Sequence, residues 1–253
     1  MPPLKSDTTK SFEWSYTEEP HATRRQTLLS SRPEVQTILP FSDTTFKWKA
    51  LLGVSTQILM AWLVSDMPWW AVISLAYLIG GTLNHAMTLA LHETSHNLAF
   101  GATRPALNRV FGIFVNLPLG IPAFASFQRY HKDHHTHQGE EVLDTDVPTA
   151  REGQIFTTTP SKILWVLMQP LFYAFRPLLT APKKPGVWEA TNAVAQIIFD
   201  ISIFTFWGGK SLCYLIIGTL LGMGLHPMAG HFIAEHYTFI KGQEVSEQIF
   251  YTS

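Results

Sequence analysis

Cysteine is nearly missing: Cys213 stands alone in 253 residues, which excludes an internal disulfide framework and leaves no thiolate cluster for zinc. Charge is sparse and balanced, 18 Lys and Arg against 19 Asp and Glu, and a net charge of -1 argues against nucleic acid as a partner. The opening MPPLKSDTTK lacks the apolar core of a cleavable signal peptide, and proline at position 2 excludes an N-myristoyl anchor. Membrane attachment is therefore expected from internal helices. Mean hydropathy is only slightly positive, an average over long apolar runs and a polar remainder.

What is concentrated is histidine. Of eleven, four fall within seven residues, in QRYHKDHHTHQ at 128–138. His131, His134 and His135 form H-x-x-H-H, and positions i, i+3 and i+4 share one helical face. A second cluster, HETSH, puts His92 and His96 four residues apart, about 40° around a helix. Imidazole suits zinc, copper, iron and nickel, so a metal site is expected. His137 falls off the box face, and His21 has no metal-binding neighbour in sequence.

Residues 1–45 are polar, with short amphipathic pieces at Arg24–Leu29 and Glu34–Leu39, and with Phe12, Trp14 and Tyr16 suited to a protein body or a headgroup layer. Lys49–Ser65 has no charge after its first residue and just reaches the length of a spanning helix; Trp69–Leu91 is a second run. The tight link Ser65–Pro68 makes these a transmembrane hairpin, with His92 emerging at the membrane face. Val110–Phe127 is broken by Gly112, Pro118, Gly120 and Pro122 and reads as interfacial or re-entrant. Ser161–Phe175, short and containing Pro170, reads as a helix lying in the interface. Val187–Trp207, carrying Asn192, Gln196 and Asp200, and Ser211–Leu225 form a second hairpin about Gly208–Lys210. His226, His231 and His236 follow where that hairpin exits, with His226 expected as a helix-interior polar residue.

The positive charges fix an orientation. Seven Lys and Arg precede the first span, nine lie between the second and third, and one follows the fourth, while only Lys210 lies in the short turns. A 17 to 1 asymmetry places both termini, the central section and every histidine cluster in the cytoplasm. The expected fold is an all-α integral membrane protein, four transmembrane helices as two hairpins under a cytosolic histidine-rich helical cap.

Two chemistries fit HETSH. It matches the zincin pattern H-E-x-x-H, with Glu93 as general base, but that reading leaves HKDHH unexplained. A histidine-rich site for two metals uses both boxes. Iron with open positions activates O₂ toward unactivated C–H bonds, and a site at the bilayer surface admits a lipid chain while its head group stays at the interface. Glu93, Asp133, Asp144 and Asp146 are acids that could orient the imidazoles, Asp133 foremost because it lies inside the box. His85, seven residues before His92, is read as a channel or hydrogen-bonding residue.

HETSH, HKDHH and GHFIAEH, with the N-terminal FEWSYTEEPH-x-x-RR segment, resemble the sphingolipid delta-4 desaturases of the membrane fatty acid desaturase superfamily. The resemblance divides the chain into an N-terminal segment at 1–45, a membrane desaturase domain at 46–243 and a divergent tail, EVSEQIFYTS, at 244–253. It implies desaturation of dihydroceramide to ceramide in the endoplasmic reticulum membrane, by a di-iron centre using O₂ and electrons from NADH through a separate cytochrome b5 and its reductase. Exposed Lys and Arg of the central section would steer that acidic partner. C4-hydroxylation of the sphingoid base and non-catalytic lipid binding are the alternatives. The implied ligands are His92, His96, His131, His134, His135 and, near the fourth helix, His236. His231 and His236 are five apart, roughly 140° around a helix, so a regular helix aims only one of them, and His236 is favoured as nearer the exit. The resemblance also implies a third H-x-x-H-H box downstream, but no histidine follows His236 up to Ser253. Five or six imidazoles leave positions to water, and weakened metal binding and activity are expected.

Overall fold

The computed structural model describes residues 21–38, 43, 45–137, 140 and 142–236. They are all-helical, with no strand among the described residues. The aromatic residues Phe12, Trp14 and Tyr16 and the tail 244–253 lie outside them. Two short N-terminal helices, α1 (His21–Ser31) and α2 (Val35–Ile38), fall where the amphipathic pieces were expected.

Three helical runs are long and apolar enough to cross a membrane: Trp69–Ser95, Thr159–Thr180 and Val187–Trp207. Two bent pairs raise the number to five if each counts as one span. α3 (Phe46–Leu63), expected as the first span, does not reach the apolarity of those three, because Lys47 and Lys49 lie within its 18 residues. The segment expected as a short interfacial helix is longer than its sequence suggested, a 22-residue helix, α9 (Thr159–Thr180), that continues through Pro170 and Pro177. The long run at Trp69–Ser95 consists of α4 (Trp69–Leu75), a π-helical turn at Ala76–Gly81 and α5 (Thr82–Ser95). The second hairpin is α10 (Val187–Trp207) and α11 (Gly209–Met223), joined at Gly208, whose φ of 82° is open to glycine without strain.

Glycine sets the closest helix contact. Gly218 and Gly222, in GTLLG, lie against Gly80 and Gly81 of the π-turn; a Cβ on Gly222 would come within 2.7 Å of the Gly81 carbonyl oxygen. This small-residue pattern lets backbones approach closely in a bilayer, where no hydrophobic force drives helices together. Polar residues buried beside it pair with each other, as a low-dielectric interior requires. Tyr214 Oη donates to Gln57 Oε1 at 2.7 Å, Gln57 Nε2 donates to Asn84 Oδ1, Asn84 Nδ2 donates to Thr219 Oγ1 at 2.8 Å, and Thr219 donates to the Leu119 carbonyl.

The two turns meet at one end of the bundle, where Lys210 Nζ donates to the Met67 carbonyl at 2.8 Å above a core of Ala61, Val64, Val72, Ile203, Tyr214 and Leu215. The other core, around Val54, Met87, Leu91, Phe111 and Phe124, lies toward the histidine boxes.

Between the hairpins, α6 (Pro105–Asn116) and a 3₁₀ turn at Leu117–Leu119 lead into α7 (Phe124–Thr136), with a 113° bend between them. Asn116 holds that bend. Its Oδ1 accepts the Ala123 and Phe124 amides at 3.0 and 2.8 Å, and its Nδ2 donates to the Ile121 carbonyl and to Gln196 Oε1. Asn192 Oδ1 accepts the Ala125 amide at 3.0 Å. Asn116 and, from α10, Asn192 thus satisfy amides that begin α7, while Gln196 of α10 holds Asn116 in place. Gly112 makes room for the Phe124 ring, which would lie 2.1 Å from a Cβ there.

Candidate metal centre

The first box ends a helix, and the local sequence stops it there. Asn97 adopts φ 62°, a left-handed conformation that asparagine tolerates. Its amide bonds the Thr94 carbonyl while the Leu98 amide reaches back to that of Glu93, a Schellman closure. His92 is thereby left in the last turn and His96 at the cap. The second box lies on α7, which the Asn116 bend turns toward the end of α5.

The imidazoles of His92, His96, His131 and His135 converge, each offering a ring nitrogen within 4.8 Å of the others. His131 is central: its Nε2 lies 3.0 Å from Nε2 of His96 and 3.0 Å from Nε2 of His135. Adjacent ligands bonded to one ion at about 2.1 Å stand roughly 3 Å apart, so this donor set fits a transition-metal ion. Burial, then the neighbouring His131, lowers His96 below its ordinary value of 6.5, which favours the neutral imidazole that a metal ligand must be.

His134 stands beside this group, its ring centroid 5.7 Å from that of His131 and 5.3 Å from that of His135. Its Nδ1 donates to Asp144 Oδ1 at 2.8 Å, which fixes the tautomer and leaves Nε2 as the electron-pair donor. Asp146 Oδ2 lies 3.8 Å from His131 Nδ1 and 3.9 Å from His134 Nδ1. Asp133, the acid expected to orient the box, does not: its carboxylate pairs with Lys183, because it projects from α7 away from the i, i+4 pair. Glu93 is half-buried and makes no side-chain hydrogen bond to the cluster among the described residues.

The remaining histidines are distributed differently. His85 is buried, with Nδ1 unpartnered, and its ring packs edge-on against that of His231 at 5.4 Å. His226, expected inside a helix, instead precedes the 3₁₀ turn Pro227–Ala229. Pro227 cannot continue α11, and the freed imidazole bonds the Tyr77 carbonyl and the Met228 amide at 3.2 Å each. His137 caps α7, 3.3 Å from the Asp133 carbonyl. His236 ends α12 (Gly230–His236), and its side chain lies outside those described. The zincin reading used His92, Glu93 and His96 alone; the pocket adds His131 and His135 to them.

A fatty acid desaturase family pattern matches residues 68–253, and a sphingolipid Delta4-desaturase (DES) pattern matches residues 8–39. The chain belongs to the fatty acid desaturase family. Sphingolipid delta(4)-desaturase DES1 of Drosophila melanogaster is 52% identical over 233 residues, covering 92% of this chain and 72% of that protein. The Homo sapiens DES1 is 50% identical over the same shares, and the Rattus norvegicus sphingolipid delta(4)-desaturase/C4-monooxygenase DES2 is 45% identical. No solved structure matches.

In this desaturase, several supporting groups went unread in the sequence. Asn116 and the GTLLG glycines carried signals, an asparagine beside a Pro-Gly break and a G-x-x-x-G spacing. The buried contact of Arg176 with Glu152 carried none, because it spans 24 residues.

Proposed function

We propose that this chain is a sphingolipid delta-4 desaturase that removes one hydrogen each from C4 and C5 of the sphingoid base of dihydroceramide, giving the trans double bond of ceramide. The overall balance is one O₂, two electrons and two protons taken up with the substrate, and two waters released. The observation that carries this reading is the shared pocket: imidazoles from both boxes meet at the end of a membrane-length helix, in a chain about half identical to relatives named for this reaction.

His92, His96, His131 and His135 would hold one iron, and His134 and His236 would contribute to a second. Iron there would supply the O₂ activation needed to attack an unactivated C–H bond. The chain's own groups do the positioning. Neutral imidazoles keep the pocket's charge low. Asp144 holds the His134 proton on Nδ1, and Asp146 faces His131.

The proposed membrane placement is the two-hairpin arrangement, with α3 pairing with α4–α5 and α10 with α11. Trp69 to His92 spans roughly 35 Å at about 1.5 Å per residue, enough to cross a hydrocarbon core of about 30 Å. The Lys210 turn lies at the far end, and the histidines and most basic residues lie in the cytosol. The endoplasmic reticulum is the proposed organelle. Exposed Arg104, Lys132, Arg151, Lys162 and Lys184 suit an acidic electron donor such as cytochrome b5, fed from NADH by its reductase.

C4-hydroxylation is a second reading, supported by the rat relative's double name. It differs only in returning oxygen to C4 in place of the second hydrogen removal. The test is a chimaera joining residues 1–236 to the remaining C-terminal part of the Drosophila relative, expressed in desaturase-deficient cells. Lipid analysis is expected to find ceramide, with 4-hydroxylated product marking the second activity. A well-expressed chimaera that makes neither, beside an active parent, overturns the proposal.

A further inference from the structure

Arg176 is a buried cation far from any histidine in sequence, and its fork is shared between an acid and a loop. Nε and Nη2 donate to the two carboxylate oxygens of Glu152 at 2.8 and 2.7 Å. Nη1 donates to the carbonyls of Thr145 at 3.1 Å and Asp146 at 3.5 Å. Those carbonyls belong to the loop whose side chains Asp144 and Asp146 face His134 and His131.

Glu152 is fixed from three sides. It closes the capping box at the start of α8 (Ala150–Ile155), accepting from the Thr149 amide at 3.1 Å. It also accepts from Trp165 Nε1 at 2.9 Å. Arg176 and Glu152 cancel each other's charge, so the donors aimed at the loop act by direction rather than by neutralising Asp144. Within the loop, Asp144 Oδ1 accepts both His134 Nδ1 and the Asp146 amide. A shift of the loop backbone therefore moves the acceptor that sets the His134 tautomer.

We propose that Arg176 and Glu152 are positioning residues of the metal centre: the buried pair holds the 144–146 loop so that Asp144 and Asp146 orient the second histidine box. This rests on the reading of that box as metal-binding. Lysine cannot replace the guanidinium fork, since a single ammonium cannot span carboxylate and carbonyls in fixed geometry. Loss of a carboxylate behind a ligating histidine typically costs about 10–100-fold in metal affinity, and loosening its support should cost a share of that.

The test uses the full chain in detergent, titrated with Co(II) and followed by its visible ligand-field absorption. R176K and E152Q are compared with wild type and D144N, with thermal melting recorded separately. R176K and E152Q are expected to bind Co(II) roughly fivefold to tenfold more weakly at the site to which His134 would contribute, well below their melting temperatures, with the same spectral change as D144N. The double variant R176K/D144N is expected to lose less than the sum of the two single losses, because R176K acts partly through the Asp144 carboxylate that D144N already removes. Hydrogen exchange without metal is expected to quicken at residues 143–149 in both single variants. Lowered melting with wild-type affinity and spectrum, or losses that add in the double variant, would reduce the pair to a fold-stabilising contact and overturn the proposal. A wild-type chain that takes up no cobalt overturns the metal reading, and this inference with it.

Discussion

His134 and His135 are neighbours in sequence with different surroundings. From His131, i+3 lies about 60° to one side and i+4 about 40° to the other, so His135 joins His92 and His96 while His134 turns to Asp144. His131→Ala should therefore abolish binding at the four-histidine pocket, whereas His134→Ala should leave that pocket's affinity within about threefold; Co(II) titration of the two variants checks the difference. The acids divide in the same way. Asp144→Asn is expected to weaken Co(II) binding about tenfold or more at the second site, to which His134 would contribute, and Asp133→Asn to change binding at either site less than about twofold, since Asp133 faces Lys183. Glu152 adds a pH dependence. Burial raises its carboxyl, but the hydrogen bonds and charge of Arg176, with Trp165 and Thr149, outweigh that and hold it below its ordinary value of 4.5. Its stabilisation is thus complete above about pH 4.5 and lost as pH falls through the depressed value. Melting curves from pH 6 downward should show an acid loss that Glu152→Gln lacks.

Elements meet the site through bends and close packing. α7 points at α5 because Asn116 caps it across the 113° turn and Gly112 accepts the Phe124 ring. The α4–α5 run lies on α11 through paired glycines. Gly222→Leu should cost at least about 1–3 kcal/mol from overpacking against the Gly81 backbone, measured as a lowered melting temperature in detergent. Most of these elements were legible: apolar runs gave Val187–Trp207 and the end of α5, and the spacing of HKDHH gave a helix carrying all three imidazoles. Boundaries failed where tertiary contacts override local signals. Ser161–Phe175 read as a short helix around Pro170, yet Pro170 is buried with Gln169 and the helix runs from Thr159 to Thr180. Asp133 looked best placed by proximity in sequence, but direction around the helix decided against it. Asp144 acts through a loop that no period describes.

For the whole molecule, the charge asymmetry and the Lys210–Met67 contact are separate signs that both short turns share one end, opposite the histidines. A charge pattern can be read in advance; which helices cross is harder, since α9 reaches spanning length and apolarity despite its prolines while α3, with Lys47 and Lys49, falls short of that apolarity. The proposed function requires that the HETSH and HKDHH boxes, 35 residues apart between His96 and His131, serve one ion. X-ray absorption of the chain loaded with one equivalent of iron, in wild type, His96→Ala and His131→Ala, tests it most directly. A shared ion should show about four imidazole nitrogens at about 2.1 Å in the wild type, and a loss from that same shell in each variant. A metal environment that depends on one box and is unchanged by removing the other's histidine would contradict it.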